Sequence, residues 1–382
     1  MKKGTPIDSF INQYLHSKAC QTLTPLSGSF ELLPLCNMNC RMCYIRISKE
    51  EQEAIQPLHT IEEWLELGKT LRDKGMLYLL LTGGEPFLYP GFKEILQGIQ
   101  KMGIIVSINT NGTLIDKETV EWLKETPPSR LNITLYGASN ATYDRLCLNP
   151  KGFTQVVNAI HLLKDAGISI KINCSVTPYN MNDLEDIINF CREEELLLDV
   201  ATYMFPPMRK DESLKGTNDR FTPEDAAYYY LKSKIYMNGE ESFLEYMKNP
   251  DFKKWHLNLP DEQCEEEGNC IRCKAGKSSF WVTWKGDLYP CGMIPDNSAK
   301  NVFIDGFDEA WKYATDLTKN IRLPYACSVC ELAESCRACA AMVYTETGNY
   351  TTVPEYRCKM IHAIPTAAQR LLNEIKEKNV LK

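Results

Sequence analysis

Three cysteines fall within eight residues, Cys36, Cys40 and Cys43, in a C-x3-C-x2-C run that begins where an alternating apolar stretch, Gly28 to Leu35, ends. Without a secretory context, such spacing reads as a metal site rather than a disulfide framework. Three thiolates leave that site one ligand short. Zinc takes four ligands, often as C-x2-C pairs, and no matching pair lies nearby. A cubane iron–sulfur cluster also takes four, so a cluster held by three keeps one iron open to an outside ligand. An open iron points to chemistry, whereas a saturated one suggests electron storage. On these three residues alone both metals remain open.

A second motif, Thr82-Gly83-Gly84-Glu85-Pro86, follows the next apolar run. The two motifs together resemble the radical S-adenosylmethionine (SAM) enzymes. The resemblance implies that the open iron chelates the amino and carboxylate groups of SAM, whose reductive cleavage gives a 5'-deoxyadenosyl radical that takes hydrogen from substrate. The cofactor then carries the hard step, and the protein supplies binding, orientation and exclusion of side reactions. The position before the third cysteine, aromatic in most of the family, is Met42, with Tyr44 just after. Adenine packing would rest there on a soft thioether.

Short apolar runs alternate with amphipathic stretches from Gly28 to about Tyr203, the pattern of a parallel sheet covered by helices. The expected strands are Gly28–Leu35, Met76–Thr82, Ile104–Thr110, Leu131–Tyr136, Ile168–Val176 and Leu197–Tyr203. Thr60 and Glu63 form a capping box for the first helix, and Gly75 follows its last turn. Further helices are expected over Phe92–Met102, Lys117–Lys124, Phe153–Ala166 and Asp183–Glu195. Six units fall short of a full eight-stranded barrel, and the resemblance implies a partial (β/α)6 TIM-like barrel. Ligands of parallel α/β folds sit at the carboxyl ends of the strands. The cysteine loop, Gly83-Gly84-Glu85, Asn111-Gly112 and Thr134 would all surround that mouth. Gly83 and Gly84 let backbone approach the methionine moiety, and Glu85 can accept from its ammonium. By resemblance, Thr134 lies at a ribose contact and Arg145 at a carboxylate contact; a plain strand residue, a surface arginine and a simple turn are the alternatives.

From Pro206 to about Leu259 the composition changes to a charged linker with one or two helices, in which Tyr228-Tyr229-Tyr230 reads as core packing. Nine of the sixteen cysteines then fall between Cys264 and Cys358. The order Cys273, Gly286-Asp287-Leu288-Tyr289-Pro290-Cys291, Cys327, Cys330, Cys336, Cys339, Cys358 resembles the SPASM domain of radical enzymes, with two residues instead of three between Cys336 and Cys339. Two saturated cubanes need eight thiolates, so Cys270 or Cys264 would supply the eighth. C-x2-C spacing favours Cys270. The family pairing implies Cys270, Cys273, Cys291 and Cys339 around one auxiliary cluster and Cys327, Cys330, Cys336 and Cys358 around the other. The implied organisation is an extension over 1–27, the radical SAM barrel over 28–205, a helical linker over 206–260 and the cysteine-rich iron–sulfur domain with a C-terminal helix over 261–382. Cys20, Cys147, Cys174 and Cys191 lack metal spacing.

The net charge of −7 argues against a nucleic-acid partner, and no run is apolar and long enough for a membrane span. Scattered apolar residues in Met1–Leu26 do not make a secretory signal, so a cytoplasmic location is expected. The resemblance implies three [4Fe-4S] clusters, SAM, an external electron donor of flavodoxin or ferredoxin type, and a peptide or protein substrate. Crosslinking or oxidative tailoring of a ribosomally made peptide is the expected reaction. A sulfatase-maturating enzyme is the runner-up, because that branch carries an aspartate base where this chain has Gly292. About 27 residues before the first strand are too few for a fused recognition domain, so a separate precursor-recognition protein is expected. A non-catalytic iron–sulfur or zinc scaffold would explain the later cysteines but not the Gly-Gly-Glu run.

Overall fold

A computed structural model describes residues 10–210, 212–214, 216, 219–251 and 269–380. Cys264, the alternative eighth ligand, lies outside the described residues. In chain order the barrel region comprises α1 (Phe10–Thr22), β1 (Ser27–Glu31), α2 (Lys49–Ile55), α3 (Ile61–Asp73), β2 (Tyr78–Thr82), α4 (Phe92–Lys101), β3 (Ile105–Thr110) and α5 (Lys117–Glu125). It continues with β4 (Arg130–Thr134), α6 (Asn140–Cys147), α7 (Gly152–Asp165), β5 (Ile170–Ser175), α8 (Leu184–Glu193) and β6 (Leu197–Ala201). Two helices follow, α9 (Pro223–Asn238) and α10 (Glu240–Lys248), then β7 (Ser279–Val282), β8 (Leu288–Tyr289) and α11 (Phe307–Asn320). Shorter helices complete the described chain: α12 (Tyr325–Ser328), α13 (Ala333–Cys336), α14 (Ala340–Thr347) and α15 (Glu355–His362), before the longer α16 (Ile364–Val380).

All six expected strands form and pair in parallel in the order β6-β5-β4-β3-β2-β1, an open partial barrel. Their alternating apolar residues explain this: Leu79 and Leu81 of β2, Val106 and Ile108 of β3, and Leu131 and Ile133 of β4 are all buried. Helix α3 starts at the expected capping box, with Glu63 N–H donating to Thr60 Oγ1 at 3.2 Å and Thr60 N–H to Glu63 Oε2 at 2.7 Å. It ends at Gly75, whose positive φ of 101° allows Met76 N–H to reach back to Leu71 O at 2.9 Å. Helix α4 buries Phe92, Ile95, Leu96 and Ile99, one helical stripe, against the sheet.

Two departures matter for the site. Strand β1 stops at Glu31 rather than Leu35, because Pro34 has no N–H for a ladder and the chain there packs against the Gly-Gly turn instead. The sheet also continues across the expected boundary at 261. Strand β7 pairs in parallel with β1, Ser27 opposite Ser279 and Phe30 opposite Val282, and β8 adds an antiparallel edge. The cysteine-rich region is thereby built onto the strand that leads into Cys36. No helix among the described residues is long and apolar enough to cross a membrane.

Candidate active site

The Gly-Gly turn fixes the cysteine loop by backbone alone. Gly84 N–H donates to Leu33 O at 2.8 Å and Glu85 N–H to Leu35 O at 2.9 Å. A Cβ on Gly84 would stand 2.3 Å from Leu35 O, and one on Gly83 would stand 2.7 Å from Leu33 O. Glycine is required there for the approach of two main chains. The far side of the loop is held by α6, where Asn39 N–H donates to Cys147 O at 3.0 Å and Arg41 N–H to Leu146 O at 3.1 Å.

Cys36, Cys40 and Cys43 line one cavity of about 1030 Å³ with Met42, Gly83, Gly84 and Thr134. Burial pushes the Cys36 thiol up to about 12 and raises Cys43 as well. Cys40 is lowered, foremost by a hydrogen bond with the Cys147 thiol, with Tyr136 and Arg46 contributing. No spacing signal marks that neighbour, since only the fold brings α6 to the loop.

Glu85 does not line the cavity. Its carboxylate is buried beneath the mouth, accepting from Thr110 Oγ1 at 2.8 Å, Asn111 N–H at 2.8 Å and Phe87 N–H at 3.2 Å. Asn111 in turn donates to Asn37 Oδ1 at 2.9 Å, and Gly112 turns with a φ of 75°. Arg145, expected by resemblance at a carboxylate contact, lies outside the cavity lining. Position 145 on α6 faces outward, and its guanidinium donates to Tyr179 O at 2.7 and 3.1 Å.

The cavity runs past the open edge strand β6 to α9 and α10, where Asp199, Tyr230, Lys234 and Ser242 line it. Tyr228 of the aromatic run is core, as expected, but Tyr230 faces the cavity. Lys234 is the only lysine or arginine among the described residues of the lining. Burial lowers its pKa, against the attraction of Asp199. It sits in a linker helix with no motif around it, so spacing could not have singled it out.

In the C-terminal region the cysteines separate into two groups. Cys291 is pushed up to about 12 by burial and by the neighbouring Cys339 and Cys273. Cys327 is raised by burial and by Cys336, Cys358 and Cys330. Cys270 lies in the same loop as Cys273.

Residues 30–191 match the family model of the radical SAM superfamily. That stretch is a radical SAM domain. An AdoMet-dependent heme synthase of Methanosarcina barkeri is 26% identical over 355 residues, covering 88% of this chain and 97% of that protein. The antilisterial bacteriocin subtilosin biosynthesis protein AlbA of Bacillus subtilis is 28% identical over 288 residues, 74% of this chain and 59% of AlbA. Streptococcus suis SuiB bound to precursor peptide SuiA shares the fold with a TM-score of 0.65 at 18% identity, over 91% of this chain and 80% of SuiB.

A radical SAM enzyme works with a [4Fe-4S] cluster and SAM, and the residues fit both. The three thiols share one cavity with a glycine turn and polar strand ends, Asn109, Thr134 and Asn173. Among the described residues no three His, Cys, Asp or Glu side chains converge on a single-ion site. A cubane binds each thiolate on a different iron and does not need that convergence.

Proposed function

We propose that this radical SAM enzyme modifies a peptide, by crosslinking or oxidative tailoring. The observation that carries the reading is the reach of the cavity, which extends from the three cysteines past β6 to Lys234 and Ser242. At about 1030 Å³ it stands at the top of the range for small-molecule sites, leaving room for a substrate segment beside the cofactor. AlbA is named for bacteriocin biosynthesis, and SuiB was solved with a precursor peptide, which supports a peptide substrate here.

Cys36, Cys40 and Cys43 would hold the SAM cluster. When bound, that cluster and SAM supply a 5'-deoxyadenosyl radical that abstracts hydrogen from the substrate. Gly83, Gly84, Met42 and Thr134 bind and orient SAM from the cavity wall, while Glu85 braces the turn from below. Cys270, Cys273, Cys291 and Cys339 hold one auxiliary cluster of a SPASM domain and Cys327, Cys330, Cys336 and Cys358 the other. An external electron donor, a separate recognition protein and a cytoplasmic setting complete the reading. The sulfatase-maturating alternative is disfavoured at Gly292, where a Cβ would meet the Trp281 ring at 2.7 Å. The heme-synthase likeness, which spans 97% of that protein, supports a second reading in which heme is the product.

Anaerobically reconstituted protein should carry about twelve irons, four per cubane. With SAM and dithionite it should release 5'-deoxyadenosine, and the Cys36→Ala/Cys40→Ala/Cys43→Ala variant should not, while keeping about two thirds of the iron. Iron near four with stoichiometric zinc would overturn the auxiliary assignment. Heme formation from an iron-porphyrin precursor, with no change in the mass of any candidate peptide, would replace the first reading by the second.

A further inference from the structure

Glu31, the last residue of β1, is fully buried, and both its oxygens accept from Arg209 Nη2 at 2.8 Å. Its Oε2 also accepts from Trp281 Nε1 of β7 at 2.9 Å. Arg209 then reaches into the cysteine-rich region, donating through Nη1 to Gly292 O at 3.1 Å. Its guanidinium lies 5.5 Å from the ring centre of Tyr44 and 5.8 Å from that of Tyr289. Tyr44 follows Cys43, Gly292 follows Cys291, and Tyr289 precedes Cys291 by two residues. One cation therefore contacts the chain neighbours of thiols from two different cysteine groups.

Burying an arginine and a glutamate together is costly, and apolar residues of similar volume often replace such a pair without loss. Stability alone does not account for the arrangement. A planar guanidinium suits it where an ammonium would not: one edge meets the carboxylate, another N–H meets the carbonyl, and the ring faces tolerate the aromatic neighbours.

We propose that Arg209 is a positioning residue that registers the Cys43 loop against the Cys291 loop and keeps a fixed positive charge between their two metal sites. This rests on the assignment of Cys291 to an auxiliary cluster. Positive charge beside an iron–sulfur cluster favours its reduced, more negative state. Arg209 thus makes the Cys291 site easier to reduce than it would be without that charge, and the Cys327 group, where Arg357 donates to Cys336 O at 2.5 and 3.1 Å, shares none of these contacts.

The test is a redox titration of the reconstituted full chain, followed by electron paramagnetic resonance, in wild type, Glu31→Gln/Arg209→Gln and Arg209→Lys. The double variant removes both charges together and leaves neither unpaired, and since Arg209 Nη1 is on Gly292 O while Glu31 takes Nη2, the charge lost nearest the Cys291 loop is the positive one. At fixed potential its reduced-to-oxidised ratio at the Cys291 cluster should fall about tenfold, 59 mV for one electron, with the Cys327 cluster unchanged. Arg209→Lys keeps the charge near Glu31 but withdraws it from Gly292, so the same shift should reach about threefold; this variant decides the matter should the double variant not fold. Unaltered titration of every cluster in a folded, iron-replete variant would overturn the role of Arg209. Wild-type iron near four would instead remove the auxiliary assignment on which it rests.

Discussion

Asn111 holds Glu85 from above, its main-chain N–H donating to Glu85 Oε2 at 2.8 Å. The loop after β3 is thus tied to the loop after β2 by a carboxyl group that water does not reach. Burial pushes Glu85 up to about 7 from an ordinary 4.5, although Asn111, Thr110 and Phe87 each pull it down. The folded protein therefore keeps a proton that the unfolded chain gives up at lower pH. The resulting stability is whole below about 4.5 and is lost as pH rises towards about 7, an effect of about 3 kcal/mol. Unfolding midpoints of cluster-free protein should fall across that window, and Glu85→Gln should flatten the slope. A slope that survives in Glu85→Gln would assign it to another group.

Gly84→Ala should displace the cysteine loop. The new Cβ would meet Leu35 O at 2.3 Å and Pro34 O at 2.9 Å, both main-chain atoms with little freedom to move aside. We expect a stability loss of about 1–3 kcal/mol and loss of about one third of the iron. Full iron and unchanged 5'-deoxyadenosine release would show that the loop can absorb the methyl group.

A second buried ion pair ties the linker to the C-terminal helices. Arg220 donates to Glu346 at 2.5 and 2.9 Å, lies 3.5 Å over the Tyr356 ring, and shares Glu346 with the Tyr203 hydroxyl at 2.7 Å. Glu346→Ala leaves that guanidinium buried without its carboxylate and should cost about 3–5 kcal/mol in urea unfolding. Removing Arg220 as well should recover part of the loss, since the penalty belongs to the unpaired charge. Additive losses in the double variant would contradict this.

Gly292→Asp should not create a sulfatase-maturating enzyme. Its Cβ would overlap the Trp281 ring, whose Nε1 is bonded to Glu31, so the variant should lose about 1–3 kcal/mol and alter tryptophan emission before gaining a base. Formylglycine on a sulfatase-derived peptide would refute the steric argument.

The partial barrel was legible because its strands are apolar runs punctuated by capping and glycine signals, as at Thr60, Glu63 and Gly75. The mouth was legible too, since Cys36, Gly83 and Thr134 follow or end β1, β2 and β4 of one parallel sheet. Strand β7 was not, because Ser279–Val282 is four residues long and its partner is β1, far away in sequence. Long-range pairing leaves no periodic trace. The same limit hid Cys147 behind Cys40 and Arg209 beside Glu31, contacts made only once the chain is closed. Spacing likewise could not tell which way Arg145 faces on its helix.

Pairing between β1 and β7 also orders events during synthesis. Ser27 and Ser278 hydrogen-bond across a sequence separation of 251. At about 5–20 residues per second, the outer edge of β1 waits roughly 10–50 s on the ribosome for its neighbour. Throughout that interval it is an open template for strands of other nascent chains. Chains truncated before Ser279 should therefore partition into inclusion bodies.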